Sequence, residues 1–551
     1  MSFNVREMLF ILYNHRKKCY YFFRNESFRN TNLSLIQEVI MKRVFNPRNL
    51  LLASAAGICV SAFAGAALAA GNDDRVLRLS ILAPLTTIDP HRTVNLQDDI
   101  FLRQIYESLY HQNEKTGEYQ PRVAESYTVS EDGLTYKFKI RKNAKFHNGD
   151  PVTVKDCVFS FKRAQGTPQM KSRLPGVKDI RAEGDDTLVF ELEHPNSAFL
   201  NSLCGVFVLS EREVTEQGDQ FGTKVALAGT GPYYLTSLKH DVEWTCNAFP
   251  EYYRGVAPIK KLDYKPITQA AAGMIAFEAG ELDWYIAPIA NWDDLKENEK
   301  YNTQLVPANH ISFLVINPAA KPLDDENLRK AIAYCIDKDA MNMTCYDGLA
   351  VNADFMIGAQ NVGAPTEGIV YNYDPDKAKE YLAKSAYPNG VDIGVINCSA
   401  GGYFEKMAQV LQQNMADIGI IAKVNRLDSA TNMNNMRKQN FSIAPTGFSP
   451  SVDYDYYRNF SQSEFVGSFY VKFADTPYDW KHMNELWDKG VATTNVEERK
   501  AIYRELNDWI SNTATILPIF HKVQPYVWVK DLVIPVNYPT NPQVYEWSWK
   551  N

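Results

Sequence analysis

An α/β fold divided into two or three lobes is what this sequence predicts, on three observations. Strand-like alternation and helix-like periodicity take turns along the chain. Behind its leader about 480 residues remain, more than one hydrophobic core usually serves. No tandem repeat, low-complexity tract or long linker separates the pieces. Compact lobes joined by crossing segments fit this pattern better than beads on a string.

Each element has a local reason. Leu77, Leu79 and Ile81 alternate with polar residues, as do Tyr136, Phe138 and Ile140, and both runs read as half-buried strands. Asp324 or Asp325 caps a helix on which Leu328, Ala331, Ile332, Cys335 and Ile336 share one face. A second helix follows Asp374, with Pro375 at its first position, where the missing N–H costs nothing. A third runs from about Tyr403 to Ile418 and turns Met407, Val410, Leu411, Met415 and Ile418 inward. Gly419 stops it, and Ile420, Ala422 and Val424 begin a strand. Asn495 and Glu498 form a capping-box start for a helix that buries Ile502, Leu506, Trp509 and Ile510.

The beginning of the chain states a destination. Met41 is followed by Lys42, Arg43 and Arg48, then by an apolar, alanine-rich run from Leu50 to Leu68 that ends in Ala67-Leu68-Ala69. These are the three parts of a secretory signal, with cleavage expected after Ala69 and a periplasmic product. The run is only marginally long and lacks a basic stop-transfer flank, which argues against a membrane anchor. Ile58 precedes Cys59 where a lipid-modified cysteine needs a small residue. Residues 1–40 fit no pattern: either translation starts at Met41 and the upstream stretch is non-native, or the leader is unusually long. Neither reading enters the fold.

Without residues 1–69 the chain holds 49 basic and 62 acidic residues, a formal net charge of −13. That balance argues against nucleic acid and against an anionic membrane surface, both of which need clustered positive charge. Six cysteines remain: Cys157, Cys204, Cys246, Cys335, Cys345 and Cys398. An oxidising compartment permits disulfides, Cys204–Cys246 and Cys335–Cys345 being the first pairs to test, although Cys157 and Cys335 also suit apolar helical faces. No CxxC spacing is present, no HExxH, and no two histidines lie within four positions, so no metal site is expected. Gly447-Phe448-Ser449-Pro450-Ser451 lacks the last glycine of a nucleophile elbow, and Pro450 removes an N–H that an oxyanion hole needs. Gly229-Thr230-Gly231 lacks the third glycine of a dinucleotide loop and reads as a turn opening a strand. The chain is expected to be neither an enzyme nor the holder of a cofactor.

Several segments resemble, in the same order, those of the peptide-type solute-binding proteins of ABC transporters (family 5). They are Ile88-Asp89-Pro90-His91; Lys145-Phe146-His147-Asn148-Gly149-Asp150-Pro151-Val152-Thr153 with Asp156 and Phe159-Ser160-Phe161-Lys162-Arg163; Gly229-Thr230-Gly231-Pro232-Tyr233; and Tyr252-Tyr253-Arg254-Gly255. Gly280-Glu281-Leu282-Asp283 follows, then Pro322 to Asp339 (PLDDENLRKAIAYCIDKD), Asp374-Pro375 with Tyr387-Pro388-Asn389-Gly390, and Ile418-Gly419-Ile420. The resemblance spans about residues 76–525. It implies a periplasmic-binding-protein-like fold of class II, peptide-binding type, with two hinged lobes and a small inserted domain. Lobe I would comprise 70–110, 186–305 and 526–551, the inserted domain II 111–185, and lobe III 306–525.

The resemblance also implies a cleft that closes over an extended peptide. Three pieces would face it: Val94 and Asn95; Trp284, Tyr285, Ile286 and Ala287; and Thr446, Gly447 and Phe448 through Ser451, Asp453 and Tyr454. One departure stands out. Peptide receptors of the family carry an aspartate shortly after the glycine-aromatic pair, paired with the peptide's amino group. Here that position is Ser451, with Asp453 two residues on. Either Asp453 takes the role or no charged amino terminus is bound. Pro445 stands where an arginine for the peptide carboxylate can occur, which leaves Arg437 as the substitute. The expected function is capture of oligopeptides or dipeptides by a monomer and delivery to an inner-membrane ABC permease. The alternatives are a same-fold receptor for a nickel chelate, haem, glutathione or an amino-acid conjugate, for which the lone His91 and His310 would be candidates, and a periplasmic chaperone or sensor partner.

Overall fold

The computed structural model describes residues 75–93, 95–358, 363–449, 453–458, 476–536 and 542–550, with the side chains of 172, 309 and 456 excepted. The secretory signal and the stretch before it lie outside the described residues. No helix of the described residues is long and apolar enough to cross a membrane.

Along the chain, β1 (Val76–Ile81) leads to helix α1 (Leu96–Ile105). An antiparallel sheet of β2 (Ala124–Val129), β3 (Thr135–Ile140), β4 (Val177–Glu183) and β5 (Thr187–Leu192) comes next, with helix α2 (Val154–Gly166) inserted after β3. The spatial order is β2-β3-β5-β4. This inserted sheet continues past the expected end at 185, because β5 pairs with β3 and β4 and completes their shared apolar face through Leu188, Phe190 and Leu192. The chain then returns to the first sheet through β6 (Tyr233–Lys239), β7 (Glu243–Ala248) and β8 (Lys261–Pro266), in the order β1-β8-β7-β6. Leu77, Leu79 and Ile81 are buried against Trp244, Leu262 and Tyr264, as alternation along β1 requires.

The third sheet is seven-stranded and contains β9 (Trp284–Ile286), β10 (Tyr301–Ile316), β11 (Val391–Ser399), β12 (Ile420–Leu427), β13 (Ile443–Phe448) and β14 (Ile516–Val529). Its order is β9-β14-β10-β13-β11-β12, with Val351–Asn352 also on β14. Strands β10 and β14 are long enough to serve two cores. Val306, Tyr526 and Trp528 belong to the core of the first sheet. Leu314, Ile316, Leu517, Ile519 and Phe520 belong to a core built with helix α3 (Glu326–Cys335) and helix α4 (Tyr403–Ala416). Between these halves the β10/β14 register shifts, between Pro307 and Ile311 and again between Ser312 and Phe313. Pro307, Pro518 and Pro525 remove ladder donors along this pair, which is where irregular pairing is expected.

Two further helices cover the other face of the third sheet. Helix α5 (Trp480–Ala492) and helix α6 (Val496–Asn512) enclose a core of Trp487, Tyr503, Leu506 and Ile510 with Phe313 and Phe448. Asn495 caps α6 by accepting from the backbone N–H groups of Glu497 and Glu498.

The six described cysteines are all free and buried, so the expected Cys204–Cys246 and Cys335–Cys345 pairings are corrected. Cys204 packs in the inserted core and Cys246 in the first-sheet core. Cys335 and Cys345 share a core, yet their thiols point to different carbonyls, of Ile332 and Tyr403. Burial pushes the Cys204 thiol up to about 12 and that of Cys345 to about 11, so both stay protonated.

Several family-like segments turn out to tie lobes together. Buried Asp89 accepts two hydrogen bonds from Arg163 of α2, at 3.0 and 2.5 Å, joining the Asp-Pro-His turn to the inserted domain. Beside it His91 donates from Nε2 to the carbonyl of Phe207 at 2.9 Å. Arg78 of β1 donates to Asp283 from its backbone N–H and its guanidinium, holding β9 against the first sheet.

His91 sets an acid limit on the fold. Burial first, and the Arg163 charge second, lower it from 6.5 to about 4. Between those values the unfolded chain binds the extra proton, so stability falls as pH falls through that window. Urea unfolding at pH 7 and 4.5 should show a loss from this group of about 2–3 kcal/mol. In His91→Gln that part of the loss should be absent; an unchanged pH dependence would refute the role.

Candidate functional site

Where β10 and β14 change register, a cavity of about 230 Å³ opens between the two halves they serve. One wall comes from the end of β1 (Ser80, Ile81), the first turns of α1 (Leu96, Gln97, Ile100) and β9 (Trp284, Tyr285, Ile286). The other comes from His310 on β10, Ser449 just past β13, and Lys522 and Gln524 on β14. The lining is mostly apolar with a few polar groups, as befits a small-molecule site.

The first wall is rigid. Asn95 caps α1, accepting from the Gln97 backbone N–H at 2.8 Å, while the Gln97 side-chain oxygen accepts from Leu82 N–H at 2.9 Å. Strand β9 pairs with β14 at Trp284↔Trp528, Tyr285↔Val527 and Ile286↔Tyr526. The Tyr285 hydroxyl donates to the Ala270 carbonyl, and the Trp284 ring lies edge-on to Tyr526 and tilted against Trp547. Ala287 is buried behind the wall, its N–H donating to Pro525.

The second wall holds the basic groups. His310 donates from Nδ1 to the Phe448 carbonyl at 2.8 Å, which leaves Nε2 to accept from the Tyr403 hydroxyl at 3.2 Å. Burial and the nearby Lys522 hold this imidazole neutral, well below the usual range. Gly447 makes the approach possible: a Cβ there would lie 2.4 Å from His310 Cε1 and 2.7 Å from the Ile311 carbonyl oxygen. Lys522 lies with its Nζ 4.0 Å from the centre of the Tyr403 ring, and burial lowers it to about 7.

Of the residues expected at a cleft, the structure brings Trp284, Tyr285 and Ile286 to this cavity. Asn95 and Ala287 support it from behind. Thr446 and Phe448 are buried in β13, where Phe448 meets Phe313 edge-on and presents its carbonyl to His310. Val94 and Ser451 lie outside the described residues. Arg437 is exposed at the end of the Ser429–Arg437 helix and does not line the cavity.

Asp453 and Tyr454 sit elsewhere. Asp453 is 2% exposed and accepts from both Nη atoms of Arg499, at 2.7 and 2.6 Å, with Arg499 itself 2% exposed. Its carboxylate is therefore committed within the fold, and the expectation that it receives a ligand ammonium is corrected. Tyr454 packs fully buried against Trp487 and Tyr503. His91, offered for a metal chelate, is a structural residue. Among the described residues no group of three His, Cys, Asp or Glu side chains is placed to hold a metal ion. His310, Lys522, Gln524 and Gln97 reach the cavity from segments whose local sequence reads only as strand or helix.

The family model described as bacterial extracellular solute-binding proteins, family 5 middle, matches residues 118–466. The heme-binding protein A of Haemophilus influenzae is 25% identical over 454 residues, 76% of this chain and 82% of that relative. The dipeptide-binding protein of Escherichia coli is 25% identical over 442 residues, 74% of this chain and 81% of its own. Among solved structures, the ABC transporter substrate binding protein CtaP of Listeria monocytogenes matches with a TM-score of 0.78 at 22% identity, over 87% of this chain and 100% of that one. The α/β binding-protein architecture expected from the sequence is thus the one observed.

The Asp453–Arg499 pair generates a test. Arg499→Met strands a buried carboxylate and should cost about 3–5 kcal/mol in urea unfolding. Adding Asp453→Leu should restore most of that loss. Failure of the second substitution to help would mean the pair is not isolated from its surroundings.

Proposed function

This chain belongs to the bacterial extracellular solute-binding proteins of family 5, and from that premise we propose that it captures peptides for an ABC importer. The observation that carries the reading is the cavity on the shared strands β10 and β14, walled by one half of the molecule on one side and the other half on the opposite side. Closure of such halves is driven only by the ligand's preference for the closed form. The cargo is bound and released chemically unchanged, consistent with relatives that are named as binding proteins. In this reading the chain is exported through its signal, cut after Ala69, and works as a periplasmic monomer that hands its load to an inner-membrane permease.

A peptide is the leading cargo because one relative is named for dipeptides and the cavity sets neutral polar side chains beside apolar ones, a lining that tolerates varied sequences. A second reading, a cargo without a free ammonium group, is favoured by the engagement of Asp453 with Arg499. A buried ammonium without a carboxylate partner would be costly.

Native mass spectrometry of the exported protein tests both. A mixed population of short peptides is expected, with Trp284→Ala releasing most of it. One defined non-peptide molecule would overturn the peptide reading and favour the second, and turnover of any bound molecule would overturn the carrier role itself.

A further inference from the structure

Among the described residues, nothing of opposite charge answers the Lys522 ammonium at the cavity. Lys522 is half-buried on β14, and among the described residues its ammonium has a ring face, that of Tyr403, and no carboxylate or carbonyl. Four other inward-facing cations among the described residues are answered. Arg163 has Asp89, Arg499 has Asp453, Arg329 has the carbonyls of Leu323 and Thr513, and Lys338 has the carbonyl of Ala353.

The neighbours of Lys522 offer no compensation. The described residues that line the cavity include no Asp or Glu. His310 and His521 flank it, and burial lowers both, so they stand beside it as neutral rings. The Tyr403 hydroxyl donates to His310 Nε2, and Lys522 meets the ring face of the same tyrosine. A cation set in an otherwise neutral cavity is stabilised by an incoming anion and repels an incoming ammonium.

We propose that Lys522 receives a carboxylate of the cargo, so that this receptor selects ligands by an anionic end and makes no ion pair with an amino end. The proposal rests on the carrier reading above and deepens it by naming the charge of the cargo. Gln97, Gln524 and Ser449 line the same cavity and supply neutral polar groups for the rest of a polar ligand. The lowered proton affinity of Lys522 in the empty cavity fits this role: an arriving carboxylate would restore the charged form.

Calorimetry on the exported protein with trialanine, N-acetyl-trialanine, trialanine amide and glutathione tests it, using wild type, Lys522→Met and Lys522→Arg. Methionine keeps the apolar stem, so folding should be retained. In wild type the acetylated acid should bind about as well as trialanine, and the amide at least about tenfold more weakly. Lys522→Met should lose about tenfold for the acids and no longer separate acid from amide, while Lys522→Arg should keep the preference. Equal binding of acid and amide by wild type, unchanged acid binding by Lys522→Met, or binding of no carboxylate-bearing probe or co-purified molecule would overturn the assignment. Silence of the three alanine peptides with glutathione, or a co-purified non-peptide acid, bound and then lost in Lys522→Met, would refute the peptide reading and leave Lys522 in place.

Discussion

Two antiparallel strands hold this molecule together and decide where its central cavity lies. Because β10 and β14 each send side chains into the core of the first sheet and into the core beyond it, neither half can be built without them. The pair cannot keep one register along its whole length, since the prolines interrupt the ladder and the two halves demand different packing. The break falls between Pro307 and Ile311, and the cavity opens there. A change of register and a cavity at one place follow from this single constraint.

The charges divide into two kinds. Asp89–Arg163, Asp283–Arg78 and Asp453–Arg499 join segments far apart in sequence and are saturated by hydrogen bonds, so they fix architecture. The inward pairs Asp89–Arg163 and Asp453–Arg499 contribute less to net stability than to the uniqueness of the arrangement they permit, and losing one partner is what costs. Lys522 belongs to the other kind. It lines the cavity from β14, and among the described residues its ammonium meets only the Tyr403 ring, which is why we propose it as a contact for cargo.

Much of the fold was legible in the sequence. Alternation at Leu77, Leu79 and Ile81, the Asp325 and Asn495 caps, and the stop at Gly419 with its φ of +91° all act locally and are in place, Glu498 contributing its backbone N–H rather than the side-chain half of a capping box. The cleft was legible only in part. Trp284, Tyr285 and Ile286 were expected there because they follow a recognisable segment, and they line the cavity. His310 was offered only for a metal chelate, and Lys522 was not singled out, because a strand that crosses between cores alternates like any other and carries no mark of the cavity beside it. Asp453 misled for a related reason: proximity in sequence to Gly447 and Phe448 suggested the cleft, whereas Arg499, 46 residues later, draws it into the core. The cysteine pairings failed because an even count in an exported chain says nothing about which cores the thiols occupy.

The central claim is that the halves on either side of the β10/β14 register break move against each other when cargo binds. Single-molecule energy transfer measures this directly, with dyes on Asp185→Cys at the exposed turn of the inserted sheet and Lys379→Cys on the exposed face of the Pro375–Lys384 helix; the native cysteines are buried. Two interconverting distances are expected in the empty protein, with saturating cargo drawing the population to the shorter one. A single distance, the same with and without cargo, would contradict a hinge at this pair of strands.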